Sequence, residues 1–204
     1  MAFTVAAFTS SLANQGARAS LFEITLTGAV LTNAVTADAD AGITGIAEAI
    51  DTAPAFKFSC RASTIPGMTV TPIPVVYFGR EVKTPGELEF PDWTVTVLND
   101  NNMRIRRFIG KWMEKINGHS GNKMATSFVK ASAGSDEWSF TGDAHVQQYT
   151  KNGMVSSKYS MVQCWPTAMD PIDMNYDNTG TLQEYGVTFS MNYWTANHPT
   201  GSVV

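Results

Sequence analysis

Residues 90–118 read FPDWTVTVLNDNNMRIRRFIGKWMEKING, and this stretch decides the fold. Its first half alternates. Trp93, Val95 and Val97 share one face of an extended segment and Thr94, Thr96 and Leu98 the other, the period of a strand. Carried upstream to Glu87, the pattern predicts one strand over 87–98. Asn99 and Asp100 then supply N-cap chemistry. Beyond them Ile105, Phe108, Ile109, Trp112, Met113 and Ile116 fall in one stripe at the helical period, which predicts a helix with Gly118 available to close it. Burying side chains of this size contributes roughly 1.5–3 kcal/mol each, so the stripe anchors the helix on a sheet. Arg104, Arg106, Arg107, Lys111 and Lys115 collect on the opposite face.

Upstream, LFEITL at 21–26 alternates as a half-buried strand does, with Phe22, Ile24 and Leu26 on one face. Residues 28–55 change character: they are rich in Ala, Thr, Asp and Gly, without aromatic or basic residues. They read as a surface insertion, with a short helix over 46–50. A second strand over 56–64 ends at Ile65-Pro66-Gly67, where Pro removes a ladder donor and Gly permits positive φ. Prolines at 72 and 74 confine the segment from Thr69 to an edge or a long loop. Gly79-Arg80, flanked by 75–78 and 81–83, predicts a hairpin.

Downstream, residues 119–137 read as loop with a short helical piece over 124–131. Strands follow at 142–149 and 159–165, the first leading into the Asn152-Gly153 turn signal. A turn-rich segment covers 170–181, a long final strand 181–194, and the tail from about residue 195 is expected to be flexible. Antiparallel strands with one major helix make a sandwich or barrel with a helix on one side.

Composition narrows the function. The 204 residues are 44% hydrophobic and only 16% charged, so the surface is covered largely by neutral polar groups, as suits a protein that buries its outside against copies of itself. With 18 Asp+Glu against 14 Lys+Arg, the net charge of -4 disfavours tight binding to nucleic acid by phosphate neutralisation. Cys60 and Cys164 are far apart and read as reduced, buried thiols. The N-terminal stretch lacks the basic region of a signal peptide, and no apolar run is long enough for a membrane span, which points to the cytosol of the producing cell.

Catalytic and metal-binding signatures are absent from the pattern. His119, His145 and His198 have no ligand-spaced partners, and neither a nucleophile elbow nor a zinc-protease motif occurs. Asp38, Asp40 and Gly42 open like a calcium loop, yet Ala49 stands where its bidentate Glu belongs. No catalytic, metal-binding or cofactor-binding residue is expected. Trp93, Phe108, Trp112, Trp165 and Trp194 are expected to be structural core.

The block Asp92 to Val97 with Asn99-Asp100 resembles a family pattern when taken with Arg80, Gly86, Phe90, the triplet Trp165-Pro166-Thr167, and the ending from Val187-Thr188 to Tyr193-Trp194. The family is the tail tube proteins of contractile-tailed bacteriophages, especially the T-even-like branch, which are similar to the tube proteins of type VI secretion and contractile bacteriocins. The resemblance spans most of 56–194 and leaves 28–55 and the tail without an inherited role.

It implies one structural domain that closes into a hexameric ring around a continuous inner β-barrel. The rings would stack into a tube that conducts double-stranded DNA, in a virion tail assembled in the host cytoplasm. Partners implied are further copies, the sheath protein, and baseplate and tail-terminator proteins. Inter-subunit contacts are expected at Ile65, Pro66, Pro72, Pro74, Tyr77, Phe78, Arg80 and Val82, and contacts to the sheath at Arg104, Arg107 and Lys111. Alternatives are a baseplate tube initiator, a secretion-type puncturing tube, or a β-sandwich carbohydrate-binding module.

Overall fold

The computed structural model describes residues 17–27, 59–119, 121, 140–177 and 180–198. The expected insertion over 28–55, the short helices over 46–50 and 124–131, and the calcium-loop residues lie outside these. Strands β1 (Phe22–Thr27), β2 (Cys60–Ser63), β3 (Thr69–Tyr77), β4 (Arg80–Glu89) and β5 (Trp93–Leu98) precede helix α1 (Arg104–Ile116). Strands β6 (Gly142–Tyr149), β7 (Val155–Met169), β8 (Glu184–Ser190) and β9 (Tyr193–Asn197) follow it.

A seven-stranded antiparallel sheet runs β1-β6-β7-β8-β5-β2, with β9 also on β7; among the described residues β3 and β4 pair only with each other. Strands β8 and β9 are the two halves of one return path along β7, interrupted at Met191-Asn192. Where the return path breaks, β7 itself kinks at Gln163, whose φ of 56 is left-handed. The Asp143 carboxylate accepts the Gln163 backbone N–H at 2.9 Å and holds this bend.

One face of the sheet is apolar because the strands alternate in register. Ile24, Leu26, Ala144, Val146, Met161, Cys164, Val187, Phe189, Trp93, Val95 and Val97 are buried on it, and Ile105, Phe108, Ile109 and Trp112 of α1 cover them. The Trp112 indole donates its Nε1–H to the Phe140 carbonyl at 2.7 Å, satisfying the polar end of an otherwise buried ring.

The structure corrects several expectations. Among the described residues the sheet is open: β1 and β2 are its two ends and do not pair with each other, so no sheet closes into a barrel and the continuous-barrel expectation fails. The extended run 87–98 is two strands, because Phe90, Pro91 and Asp92 separate β4 from β5 and Pro91 offers no N–H to a ladder. The hairpin is far longer than the few residues beside Gly79, and pairing along β9 continues to Asn197. Helix α1 starts later than Asn99-Asp100 suggested, after Met103 in a left-handed conformation. Asp100 still caps it: its Oδ1 accepts the Arg104 N–H at 2.8 Å. At the far end Asn117 is the extended cap residue and Gly118 does not adopt positive φ.

Candidate assembly surfaces

Strands β3 and β4 form an arm of unusual exposure. All residues of both strands are exposed except Gly86, which is half-exposed. Their register places Ile73, Val75 and Tyr77 opposite Thr84, Val82 and Arg80, giving one largely apolar face; Pro72, Pro74 and Val76 lie opposite Pro85, Lys83 and Glu81 on the other. Eight steps at the rise of a strand make the arm roughly 26 Å long. A Cβ on Gly86 would meet the Thr71 carbonyl oxygen at 2.3 Å, so only glycine lets the two strands approach there.

The tip is a tight turn in which Phe78 (φ 48) and Gly79 (φ 75) both lie in the left-handed region. Such turns favour Asn-Gly, because a bulky residue with positive φ is strained. Phe78 occupies the strained position and is 91% exposed, its ring set edge-on to Tyr77 at 4.6 Å between centroids. A hairpin without a third strand or a packed face is only marginally stable. Its root is nevertheless pinned: Trp93 Nε1–H is placed to donate to Ser63 Oγ at 3.0 Å and to the Thr64 carbonyl at 2.9 Å, and Trp194 Nε1–H donates to the Gly67 carbonyl at 2.9 Å.

The residues expected at subunit contacts therefore fall on one element. Pro72, Pro74, Tyr77, Phe78, Arg80 and Val82 are exposed along the arm, Ile65 is exposed at its root, and Pro66 is buried there. Of the expected core aromatics, Trp93, Phe108 and Trp112 are buried, whereas Trp165 and Trp194 are half-buried against the edge of the core.

A second surface went unrecognised in the sequence. The β7–β8 connection, read only as turn-rich, encloses an open groove of about 690 Å³ lined by Ile172, Met174, Tyr176, Leu182 and their polar neighbours. Met174, Tyr176 and Leu182 are exposed without any periodicity that would have marked them. Asn99 fastens the groove's end to the sheet, its Nδ2 donating to Gln183 Oε1 at 3.0 Å and its backbone N–H to the Gln183 carbonyl at 2.8 Å.

On α1 the basic face is less available than its composition suggests. Arg104 is ion-paired with Asp100, and Arg106 donates to the Asp170 carbonyl at 3.0 Å and lies over the Tyr185 ring. Arg107 is exposed and Lys111 half-exposed. The side of the sheet away from α1 is polar. It presents Glu23, Asp143, Asp170 and Glu184 against Lys158 and Arg61, with Thr25, Ser160, Thr94 and Thr188 between them. There His145 contacts Ser160 Oγ through Nδ1 at 3.0 Å and Thr27 Oγ1 through Nε2 at 3.2 Å. Burial first, and then the Lys158 charge, hold its imidazole below the ordinary histidine range against the pull of Asp143.

Among the described residues no group of His, Cys, Asp and Glu could hold a metal ion, and no helix is long and apolar enough to cross a membrane. Apolar surface left open on an arm and in a groove is of the kind that marks protein–protein contact sites.

Over residues 17–197 the chain matches the model of the phage tail tube protein family, and it belongs to that family. It is 29% identical over 140 residues to the tail tube protein gp19 of Enterobacteria phage T4, an alignment covering 68% of this chain and 80% of that protein. The gp19 of Enterobacteria phage T6 is equally similar. Among solved structures, a chain of the sheath–tube complex of the PVC extracellular contractile injection system, in its extended state, matches with a TM-score of 0.54. It is 8% identical, covering 97% of this chain and 99% of that one. The cap terminating the tube of the anti-feeding prophage matches at 0.53 with 12% identity, covering 90% and 91%. These structures share the fold. The chain is thus a structural subunit of the tail tube of a contractile-tailed phage, a virion component and not an enzyme.

Proposed function

We propose that copies of this chain assemble, each as a single structural domain, into hexameric rings that stack into a hollow tube. The observation that carries this reading is the β3–β4 arm, whose apolar face and aromatic tip are left open in the isolated chain. Contacts between subunits run through it, at Pro72, Pro74, Tyr77, Phe78, Arg80 and Val82.

The face of the sheet opposite α1 lines the channel. Its four carboxylates against two basic groups leave it mildly acidic, so double-stranded DNA passes without the accumulating phosphate attraction that a basic lining would exert. Helix α1 then lies outside, toward a sheath, with Arg107, Lys111 and Arg104 as its contacts. Exposed ion pairs contribute only about 0–1 kcal/mol each, which suits a sheath that must slide along the tube. A related chain of a sheath–tube complex supports the sheath as partner, and relatives in a baseplate and at a tube terminus support partners at the two ends.

Electron microscopy of particles formed by the purified chain tests the proposal. Long hollow tubes with six-fold end views are expected. A monodisperse monomer at all concentrations would overturn it, and single rings that never stack would favour a baseplate tube initiator.

A further inference from the structure

The arm and the groove sit at opposite ends of the same pair of strands. The arm's root joins the Trp93 end of β5, while the groove's wall joins the other end, where Leu98 pairs with Glu184. Six residues of strand separate the two levels by roughly 17 Å. A protein carrying two unpartnered surfaces at opposite ends makes head-to-tail contacts when one surface fits the other.

The two surfaces complement each other in chemistry. The arm's outer half carries Val75, Tyr77, Phe78 and Val82 with Arg80 and Lys83 against Glu81. The groove offers Ile172, Met174, Tyr176 and Leu182, and its lining carries two carboxylates, Asp173 and Glu184, the second already ion-paired with Arg61. The strained, exposed Phe78 is hard to explain within one chain, since Asn would make a better turn. A rigid aromatic exposed at the end of an arm is the residue type that anchors protein interfaces.

Resting on the self-assembly proposed above, we propose that the aromatic tip of one copy's arm, Tyr77-Phe78, seats in the β7–β8 groove of a second copy, against Met174, Tyr176 and Leu182. Arg80 and Lys83 then meet Asp173 at its rim. Each chain donates one tip and offers one groove, so the contact propagates from subunit to subunit without an end. Rising salt weakens it by screening the charged rim.

Cysteine pairs test the contact on full-length chains. The native thiols are poor competitors, because burial pushes both Cys60 and Cys164 up to about 12. Phe78→Cys with Leu182→Cys in one chain, treated with a short bis-maleimide at neutral pH, is expected to give a ladder of covalent oligomers on a denaturing gel. The two single variants mixed should give dimers only, and each alone no product. Phe78→Asn should melt as the wild type does yet need at least about tenfold more protein to assemble, the scale of losing an anchor side chain; Phe78→Tyr should restore assembly.

Tubes that form without any ladder would place the tip elsewhere and overturn this contact while leaving the tube intact. Dimers from Phe78→Cys alone would show tip against tip and overturn it equally. A wild-type chain that forms no particle would remove the assembly and this contact with it.

Discussion

Trp112 joins helix to sheet. Only 2% exposed, its ring lies 5.8 Å from Phe108 and 6.1 Å from Phe189, centroid to centroid, and its N–H is spent on Phe140. Trp112→Ala removes that packing and strands the Phe140 carbonyl, so urea unfolding should show a loss of about 3–5 kcal/mol. An unchanged midpoint would mean that the ring is dispensable to the core. Titratable groups bracket stability on both sides of neutral pH. Cys60 and Cys164, ordinarily at 9.0, are raised to about 12 by burial. The folded state therefore keeps protons that the unfolded chain sheds, and stability is lost as pH climbs from 9 toward 12. His145 is depressed below 6.5, so its contribution is present above 6.5 and lost as pH falls through its folded value. At Asp100 burial alone would raise the carboxyl, but the Arg104 hydrogen bonds and charge outweigh it and hold it below 3.8, with a loss at still lower pH. Thermal melts across pH should show a plateau between about 6.5 and 9, falling on both sides; a melting temperature still rising above pH 9 would contradict this.

At the scale of elements, β5 is the central test. Thr96 pairs with Gly186 on one side and Ala62 on the other, so Thr96→Pro removes a ladder donor between two neighbours and is expected to prevent folding; native circular dichroism from that variant would refute the pairing. The arm answers differently. Gly86→Ala should disturb β3–β4 pairing and reduce assembly while leaving the melting of the core unchanged, as read by calorimetry beside electron microscopy. Periodicity made β1, β6, α1 and the buried face of β5 legible, because burial on one face imposes a repeat. It was carried too far over 87–98: Leu88 and Phe90 fall on one face and Trp93, Val95 and Val97 on the other, and at that slip, marked by Pro91, one strand ends and another begins. Prolines at 72 and 74 argued for an edge or a long loop, and the segment is an edge strand, but nothing local showed that both strands would project clear of the core. Met174, Tyr176 and Leu182 carry no repeat at all, so their groove emerges only once β7 and β8 are in register.

For the whole molecule, charge separates the faces. Reversing Arg104, Arg107 and Lys111 to Glu together should leave tube formation intact and weaken co-sedimentation with purified sheath. Raising the salt should weaken it further. Loss of the tube in that variant would assign the face to subunit contacts. The fold leaves an open sheet, an uncovered arm and an unfilled groove, and the central claim is that copies of the same chain complete them. A side-chain-resolution reconstruction of the tube by electron cryomicroscopy tests this most directly. The account predicts six-fold rings in which every arm is buried against another copy, the Thr25, Ser160 and Thr188 face lines the channel, and α1 lies outside. Arms left in solvent, or a channel lined by α1 and its arginines, would contradict it.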